Sequence, residues 1–493
     1  MQSRLKPWTG SSVLNSKILT HEEAKCLIKV PGFIWVMCHG CFDLLHIGHI
    51  KHLQAAREMG DYLVVSITAD AFVNKGPGRP VFSADKRAEM LAALECVDYV
   101  VIVDGASAIP AIEAIMPDIY CKGSDYKSED ITGKFDLERD AVEKNGGRIV
   151  FTDEEVHSSS SLINEFLPQF DQETTSLLQR MKEDRSAELI DGYLDQIKSL
   201  KVLLVGEQIH DHYVYVSSLG KAAKENIIAT QFKSEEWFEG GTDATGMHID
   251  GLVEAVHASC RRRVTKTRFI EPPYTRKLFE IYEMSDTPMD GEEIADLIAE
   301  LRGGIEWADL VIVCDYGHGM IGPEVVEVLQ DCSKFLAVNV QTNAGNLGYN
   351  LLTKYKRADF LVVDAMEARL AAQDKHRPLD ELAGRVLPSL IACKNIVVTH
   401  GSAGCYVYQW SKTRGKARAI TTHVPAFRQT VVDTMGAGDA FFAIASLFAY
   451  CKASNEIIGL VGNVAGAMKV GTIGHREPTD PVKFKRYVQT LLK

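Results

Sequence analysis

The stretch "FIWVMCHGCFDLLHIGH", Phe33 to His49, decides the fold of the first part of the chain. An apolar run, "FIWVMC", gives way to a short turn containing Gly40 and Asp43, and a helical pattern, "HIKHLQAAREMG", follows. Strand, glycine turn and helix open a βαβ unit. The alternation continues: "DYLVVSIT" reads as a strand, "SADKRAEMLAALEC" as a helix and "DYVVIV" as a strand. "IPAIEAIMP" and "AVEKNGG" add helices, while "DIYCKGSDY" and "RIVFTDE" add strands, so one parallel sheet is expected over 31–168. Residues 1–30 read as an N-terminal extension. At "KVLLVGE", from Lys201, a second α/β pattern opens and runs through "ADLVIVCDYG", "KFLAVNVQ", "ADFLVVDAM" and "NIVVTHG" to the C-terminus. Between the two, residues 169–200 are polar, with Leu, Met and Ile at helical intervals. They read as a connecting helix pair, or equally as helices packed on the second domain.

The chain has 493 residues, too many for one ordinary core and enough for two large domains. Hydrophobic residues make up 46% and charged residues 24%, the balance of a globular protein. A net charge of -12 argues against a general nucleic-acid or anionic-membrane surface. No apolar run reaches the ~20 residues of a membrane span, and "MQSRLKPWTGSSVLNSK" has no apolar signal core, so a cytoplasmic protein is expected. Eleven scattered cysteines fit reduced thiols better than a disulfide framework.

The opening stretch also raises a metal question. Cys38 and Cys41 have C-x-x-C spacing, and His46 and His49 have H-x-x-H spacing, so zinc ligands are on offer. Their context favours a phosphate instead. A strand-to-helix turn presents unpaired backbone N–H groups to an anion. His46 and His49 lie one helical turn apart, and Gly48 removes a side chain that would hold a ligand off the backbone. His39 and His52 read as partly exposed histidines without a site role.

"GCFDLLHIGH" resembles the H-x-G-H signature of the cytidylyltransferase-like nucleotidyltransferases. The resemblance implies that His46 and His49 stabilise charge on an α-phosphate during in-line attack, with pyrophosphate leaving. It places Gly40, Phe42, Asp43 and Gly48 around the same phosphates. "NKGPGRPVFSADKR" resembles the family's basic loop and would bring Lys75, Arg79 and Arg87 toward phosphates. "KGSDY", with Lys122, Gly123 and Asp125, resembles its nucleotide-side motif. "HSSSSLI" resembles its serine-rich helix start, where Ser158, Ser159 and Ser160 would hold the β- and γ-phosphates.

Near the C-terminus, "VVDTMGAGDAFFA" (431–443) is a glycine-rich loop entering an apolar helix. N–H groups from Gly436, Ala437 and Gly438 to Asp439 would form an anion hole, and Asp439 sits where it could deprotonate a hydroxyl. The string resembles the D-T-x-G-A-G-D signature of ribokinase-type (pfkB) sugar kinases, in which Asp439 matches the catalytic base. "THGSAG", with Thr399, Gly401 and Gly404, and "NVAGAMKVGTIG", from Asn463, resemble the ATP-purine pocket. The resemblance implies acceptor contacts at Gly240, Gly241 and Asp315 and a water-mediated magnesium link at Glu367. The region after the glycine pair looks shortened, and Glu207 stands where the family has a strand-end Asp.

The two resemblances together imply two α/β domains: a Rossmann-like H-x-G-H nucleotidyltransferase fold, then a ribokinase-like α/β/α fold over 201–493. The pairing resembles bifunctional heptose-phosphate kinase/adenylyltransferases with the domain order reversed. It implies a sugar-phosphate kinase and nucleotidyltransferase that makes an ADP- or CDP-activated heptose-like sugar for surface polysaccharide, using Mg2+ and ATP, or CTP in the transferase. Partners would be sugar phosphates and nucleoside triphosphates. "RFIEPPYTRKLFEIYEM" reads as two strands around a Pro-Pro turn, resembling the lid through which such kinases dimerise, so a homodimer is expected. The alternative is a nucleotidyltransferase whose kinase half serves as a ligand-binding or dimerising module.

Overall fold

The structure is a computed structural model that describes residues 17–25, 32–73, 79–105, 107–123, 134–152, 170–258, 262–272, 276–285, 287–413, 416–427 and 431–493. The chain forms two compact units that divide between Gln169 and Phe170.

The first unit carries β1 (Ile18–Leu19), α1 (His21–Lys25), β2 (Trp35–Gly40), α2 (Ile47–Glu58), β3 (Tyr62–Thr68), α3 (Ala84–Ala92), β4 (Tyr99–Val103), α4 (Ile109–Ile115), β5 (Ile119–Gly123), α5 (Lys134–Lys144) and β6 (Arg148–Thr152). The sheet is parallel, in the order β1-β4-β3-β2-β5-β6. Chain direction across the sheet reverses between β3-β2 and β2-β5, and ligands of open α/β sheets bind at the carboxyl ends of strands at such a switch. Gly40 closes β2 and Gly123 closes β5, so the switch point lies at the turn singled out in the sequence. Two apolar clusters cover the two faces of the sheet, one with Val36, Cys38, Leu53 and Cys121, the other with Trp35, Met37, Ile112 and Tyr120. Central strands buried on both faces explain the continuous apolar runs.

Part of the expected N-terminal extension belongs to this unit. Ile18 and Leu19 pair in parallel with Val100 and Val101, and Ala24 is buried. Two paired residues and one small buried side chain carry no sequence signal that a window could detect.

The second unit begins with α6 (Gln172–Glu183) and α7 (Ser186–Ile197), which follow the second of the two readings of 169–200, helices packed on the second domain, rather than the connector. Leu177, Leu178, Met181, Ile190 and Ile197 are buried in the same cluster as Val202, Phe441 and Phe448. Each such side chain contributes roughly 1.5–3 kcal/mol on burial, which a free linker would forgo. Then come β7 (Lys201–Gly206), β8 (Gln208–Lys221), β9 (Ile228–Gly241), α8 (Thr242–Ile249), β10 (Glu254–Ala258), β11 (Val264–Glu271) and β12 (Arg276–Glu283). After these follow α9 (Gly291–Trp307), β13 (Leu310–Asp315), α10 (Pro323–Asp331), β14 (Phe335–Val340), β15 (Arg357–Asp364), α11 (Ala365–Ala372), β16 (Ala392–Thr399), β17 (Cys405–Thr413) and β18 (Lys416–Val424). Three helices end the chain: α12 (Ala437–Tyr450), α13 (Asn455–Lys469) and α14 (Pro481–Leu491).

Eight strands form the main sheet in the order β10-β7-β13-β14-β15-β16-β17-β18, parallel up to β16 and antiparallel beyond. A separate sheet, β12-β11-β8-β9, is built from the two long strands after Gly206 and the antiparallel pair β11 and β12. Its β11–β12 pairing matches the two strands expected in "RFIEPPYTRKLFEIYEM". The shortened region resolves into the eight-residue α8 and the five-residue edge strand β10.

Candidate functional sites

In the first unit, His46 caps α2 in an extended conformation and His49 lies in its first turn. Their rings stack with centroids 3.9 Å apart, and Phe42 meets His49 edge-on at 5.1 Å. Two imidazoles thus stand together at a helix N-terminus, where backbone N–H groups and the helix dipole favour an anion. Phe42 adopts a positive φ of 48°, and a Cβ on Gly40 would press into its ring at 3.0 Å. Glycine at 40 therefore lets the aromatic ring fold back beneath the turn.

The other residues expected here divide. Asp43 is 1% exposed, and its Oδ1 accepts the Val81 and Phe82 N–H groups at 2.7 and 3.1 Å, with Arg79 3.8 Å from Oδ2. It ties the following loop to the turn. Arg87, expected to reach toward phosphates, is fully buried and bonded to protein oxygens. Its guanidinium donates to Phe82 O (2.9 Å), Cys41 O (2.6 Å), Thr68 O (2.8 Å) and Asp70 Oδ1 (2.6 Å), so it clamps the turn to β3. Lys122, expected on the nucleotide side, also has a protein partner. Its ammonium pairs at 2.9 Å with Glu138, a buried carboxylate that also accepts from the Tyr120 hydroxyl and Ala108 N–H. Sequence showed the positive charges but not the oxygens that accept their hydrogen bonds. Gly123 ends β5 beside the switch point. Lys75, Asp125, Ser158, Ser159 and Ser160 lie outside the described residues.

The C-x-x-C reading also fails on geometry. Among the described residues the close group containing Cys38 is Cys38, His52 and Cys121, without Cys41, His46 or His49.

In the second unit, Asp439 stands in the first turn of α12. Its Oδ1 accepts hydrogen bonds from the Tyr316 hydroxyl at 3.0 Å and Gln341 Nε2 at 2.9 Å, which fix the carboxylate against the carboxyl ends of β13 and β14. Gly436 caps the helix with φ 76°, and a Cβ there would collide with the His475 ring at 2.3 Å. Ala437 and Gly438 supply the first N–H groups of α12, which have no carbonyl one turn earlier within the helix.

Glu367 closes a capping box with Asp364, and its Oε1 accepts the Thr342 N–H at 2.9 Å. Both of its oxygens therefore hold backbone, one of them beside Gln341. Burial, and then Asp364, pushes this carboxyl up to about 8. Asp315, expected among the acceptor contacts, is fully buried and bonded by Tyr355, Asn350 and Gly317, with Lys354 as ion-pair partner. With its neighbour Glu207 it braces the ends of β13 and β7. Glu207 receives the His318 and Tyr316 N–H groups at 2.9 and 3.1 Å, and burial first and Asp315 second push its carboxyl up to about 7.

Gly240 and Gly241 are spatial requirements. A Cβ on Gly240 would meet Asp211 Oδ2 at 2.5 Å, and on Gly241, at φ 62°, Glu207 O at 2.4 Å. Around the same end of the lid sheet lie residues not read from the sequence: Lys266, Arg268, Asp211, His318 and His475, each under a tenth exposed. Arg268 pairs with Asp211, and His475 Nε2 lies 3.6 Å from the same carboxylate. His318 is held near 4 by burial and by Lys266. The alternation in "VTKTRF" places Lys266 and Arg268 on one face of β11, a signal available in the sequence. Asp433 is held down at about 2: burial would raise it, but Lys277 (2.8 Å) and the Gly474 and Met435 N–H groups outweigh that.

Thr399 ends β16, Gly401 and Gly404 follow with φ of 51° and 90°, and Asn463 donates to Val424 O and Pro425 O at 3.0 Å each. A Cβ on Gly404 would meet Val424 O at 2.2 Å. These residues converge on one loop cluster, with the Asn463 amide spent on holding it.

Residues 37–166 match the cytidylyltransferase-like family model, and residues 294–481 match that of the pfkB family of carbohydrate kinases. The bifunctional protein HldE of Syntrophotalea carbinolica is 41% identical over 164 residues, 32% of each chain. HldE of Geotalea uraniireducens is 46% identical over 123 residues, 24% of each chain. The match thus spans about a third or less of these relatives' length. Among solved structures, the tetrameric inhibited form of phosphofructokinase-2 from Escherichia coli aligns with 60% of this chain and 100% of its own, at 12% identity and a TM-score of 0.45. The chain joins an N-terminal cytidylyltransferase-like domain to a C-terminal pfkB-type carbohydrate kinase domain.

Proposed function

We propose that the chain is a bifunctional sugar-phosphate kinase and nucleotidyltransferase that produces an ADP- or CDP-activated heptose-like sugar for surface polysaccharide. The observation that carries this reading is the stacked His46–His49 pair at the N-terminus of α2, at the switch point of a parallel sheet. A sugar 1-phosphate oxygen attacks the α-phosphate of a nucleoside triphosphate, pyrophosphate leaves, and the imidazoles donate to the charge that builds on the phosphoryl oxygens. In the second domain Asp439 accepts the proton of the sugar hydroxyl while α12 N–H groups face the transferred phosphoryl group.

Magnesium, when bound, neutralises triphosphate charge. Asp439, a partly exposed carboxylate, fits it; Glu367, with both oxygens on backbone N–H groups, fits only a role through water. Lys266, buried on the same face of β11 as the Arg268–Asp211 pair, supports an anionic, phosphorylated acceptor. The exposed Phe232, Trp237, Phe279 and Ile281 of the lid sheet support a homodimer, and no helix among the described residues is long and apolar enough to cross a membrane, which fits a cytoplasmic enzyme.

The test pairs ATP and CTP with a panel of sugar phosphates. Pyrophosphate release from one triphosphate with a sugar 1-phosphate, and ATP-dependent phosphorylation of a sugar phosphate that Asp439→Asn abolishes, are the expected results. Wild-type protein that releases pyrophosphate but phosphorylates no sugar would leave a transferase with a binding module and refute the bifunctional reading.

A further inference from the structure

Cys38 and Cys121 are register partners on β2 and β5, so their thiols leave the sheet on the same face, and neither is exposed. That face is covered by α2, whose Leu53 and Ala56 join both cysteines in one cluster. His52 precedes Leu53 on the same helix, and its Nδ1 is bonded to Thr152 Oγ1 at 2.7 Å, at the end of β6. The two sulfurs and a ring nitrogen of His52 all lie within 4.8 Å of one another. Packing alone accounts for two small buried thiols; it does not account for an imidazole set against both. Cys38 and Cys121 are also hydrogen-bonded to each other.

We propose that Cys38, His52 and Cys121 form a binding site for one zinc(II) ion. Two thiolates and an imidazole are a zinc ligand set, with bonds of about 2.3 Å to sulfur and 2.0 Å to nitrogen. A tetrahedral set puts donors roughly 3.5–3.8 Å apart, so the observed group closes on the ion by about 1 Å or less. Half-buried His52 leaves the fourth position to a water molecule. Binding displaces two thiol protons, Zn2+ + 2 RSH giving Zn(SR)2 + 2 H+. Thr152 orients the imidazole from outside the ligand set, as such ligands require. The ion pins α2 to the two strands of the switch point, one helical turn beyond His49. The site rests on no assumption about the reaction catalysed.

The test uses the full chain, reduced and stripped with a chelator, titrated first with cobalt(II) and then with zinc(II). Expected are one cobalt per chain with thiolate-to-cobalt charge-transfer absorption in the near ultraviolet, its displacement by one zinc, and a higher melting temperature with zinc. Cys121→Ala and His52→Ala should each weaken binding at least tenfold, while Cys41→Ala keeps it. His52→Ala leaves the buried thiols in place and so tests the site even where Cys121→Ala unfolds. A wild-type chain without the charge-transfer band, or a band that survives both His52→Ala and Cys121→Ala, overturns the site.

Discussion

His46 and His49 come from one turn of one helix and touch each other, whereas Asp439 is held by Tyr316 and Gln341, 123 and 98 residues away in sequence. One site is organised locally, with a strand end, a glycine turn and a helix start contiguous in the chain. The other is organised at a distance, where α12 supplies the carboxylate and the ends of β13 and β14 aim it. A local site should fail when its own residues change; a distributed one should also respond to its braces.

The largest effects separate the two sites outright. His46→Ala or His49→Ala should lower nucleotidyl transfer at least roughly a hundredfold, as removal of a transition-state donor does, and leave sugar phosphorylation at its wild-type rate. Asp439→Asn should do the converse, with phosphorylation falling at least about a hundredfold. Steady-state assays of both half-reactions on each variant check this, and a loss of both activities in any one variant would break the comparison.

Next comes the clamp. Arg87→Ala leaves three backbone carbonyls and Asp70 without their guanidinium donor, and should destabilise the first unit by about 3 kcal/mol, read from its urea transition. A variant that unfolds like wild type but binds triphosphate more weakly would restore Arg87 to the phosphate site. Smaller is the brace on Asp439: Tyr316→Phe removes one hydrogen bond and should lower the phosphorylation kcat about five- to tenfold, with the KM for ATP unchanged.

The smallest effect is a pH dependence. Glu207 is raised to about 7, so between the ordinary carboxylate pKa of about 4.3 and that value the folded chain holds a proton that the unfolded chain has lost. Stability from this group is therefore fully present below pH ~4 and falls as pH rises toward 7. Glu207→Gln should flatten that fall in a series of thermal melts; an unchanged slope would show that Glu207 stays ionised.

Much of this was legible beforehand. The alternation of strands and helices, both glycine-rich turns and the residues at their helix starts are local patterns, so the parallel sheets and the positions of His46, His49 and Asp439 follow from short windows. Three expected site residues share a feature that the sequence does not show. Arg87, Lys122 and Asp315 are charged and stand in motifs that touch phosphate or sugar in related families, yet each is buried against partners from other elements. Charge is visible in a sequence; the partner that satisfies it is not. The helices of 170–200 show the same limit, since an amphipathic stripe says that a helix will pack and leaves open against what.

The sequence by itself determined the two α/β domains, their order and the helix starts that bear His46, His49 and Asp439, because periodicity, turn chemistry and capping act over a few residues. Only the tertiary structure decided which charges are paired within the protein, which side chains gather around Asp211 and Lys266, and that Cys38 stands with Cys121 and His52 rather than with Cys41. Those outcomes depend on desolvation and on partners far away in the chain, and no local pattern encodes them.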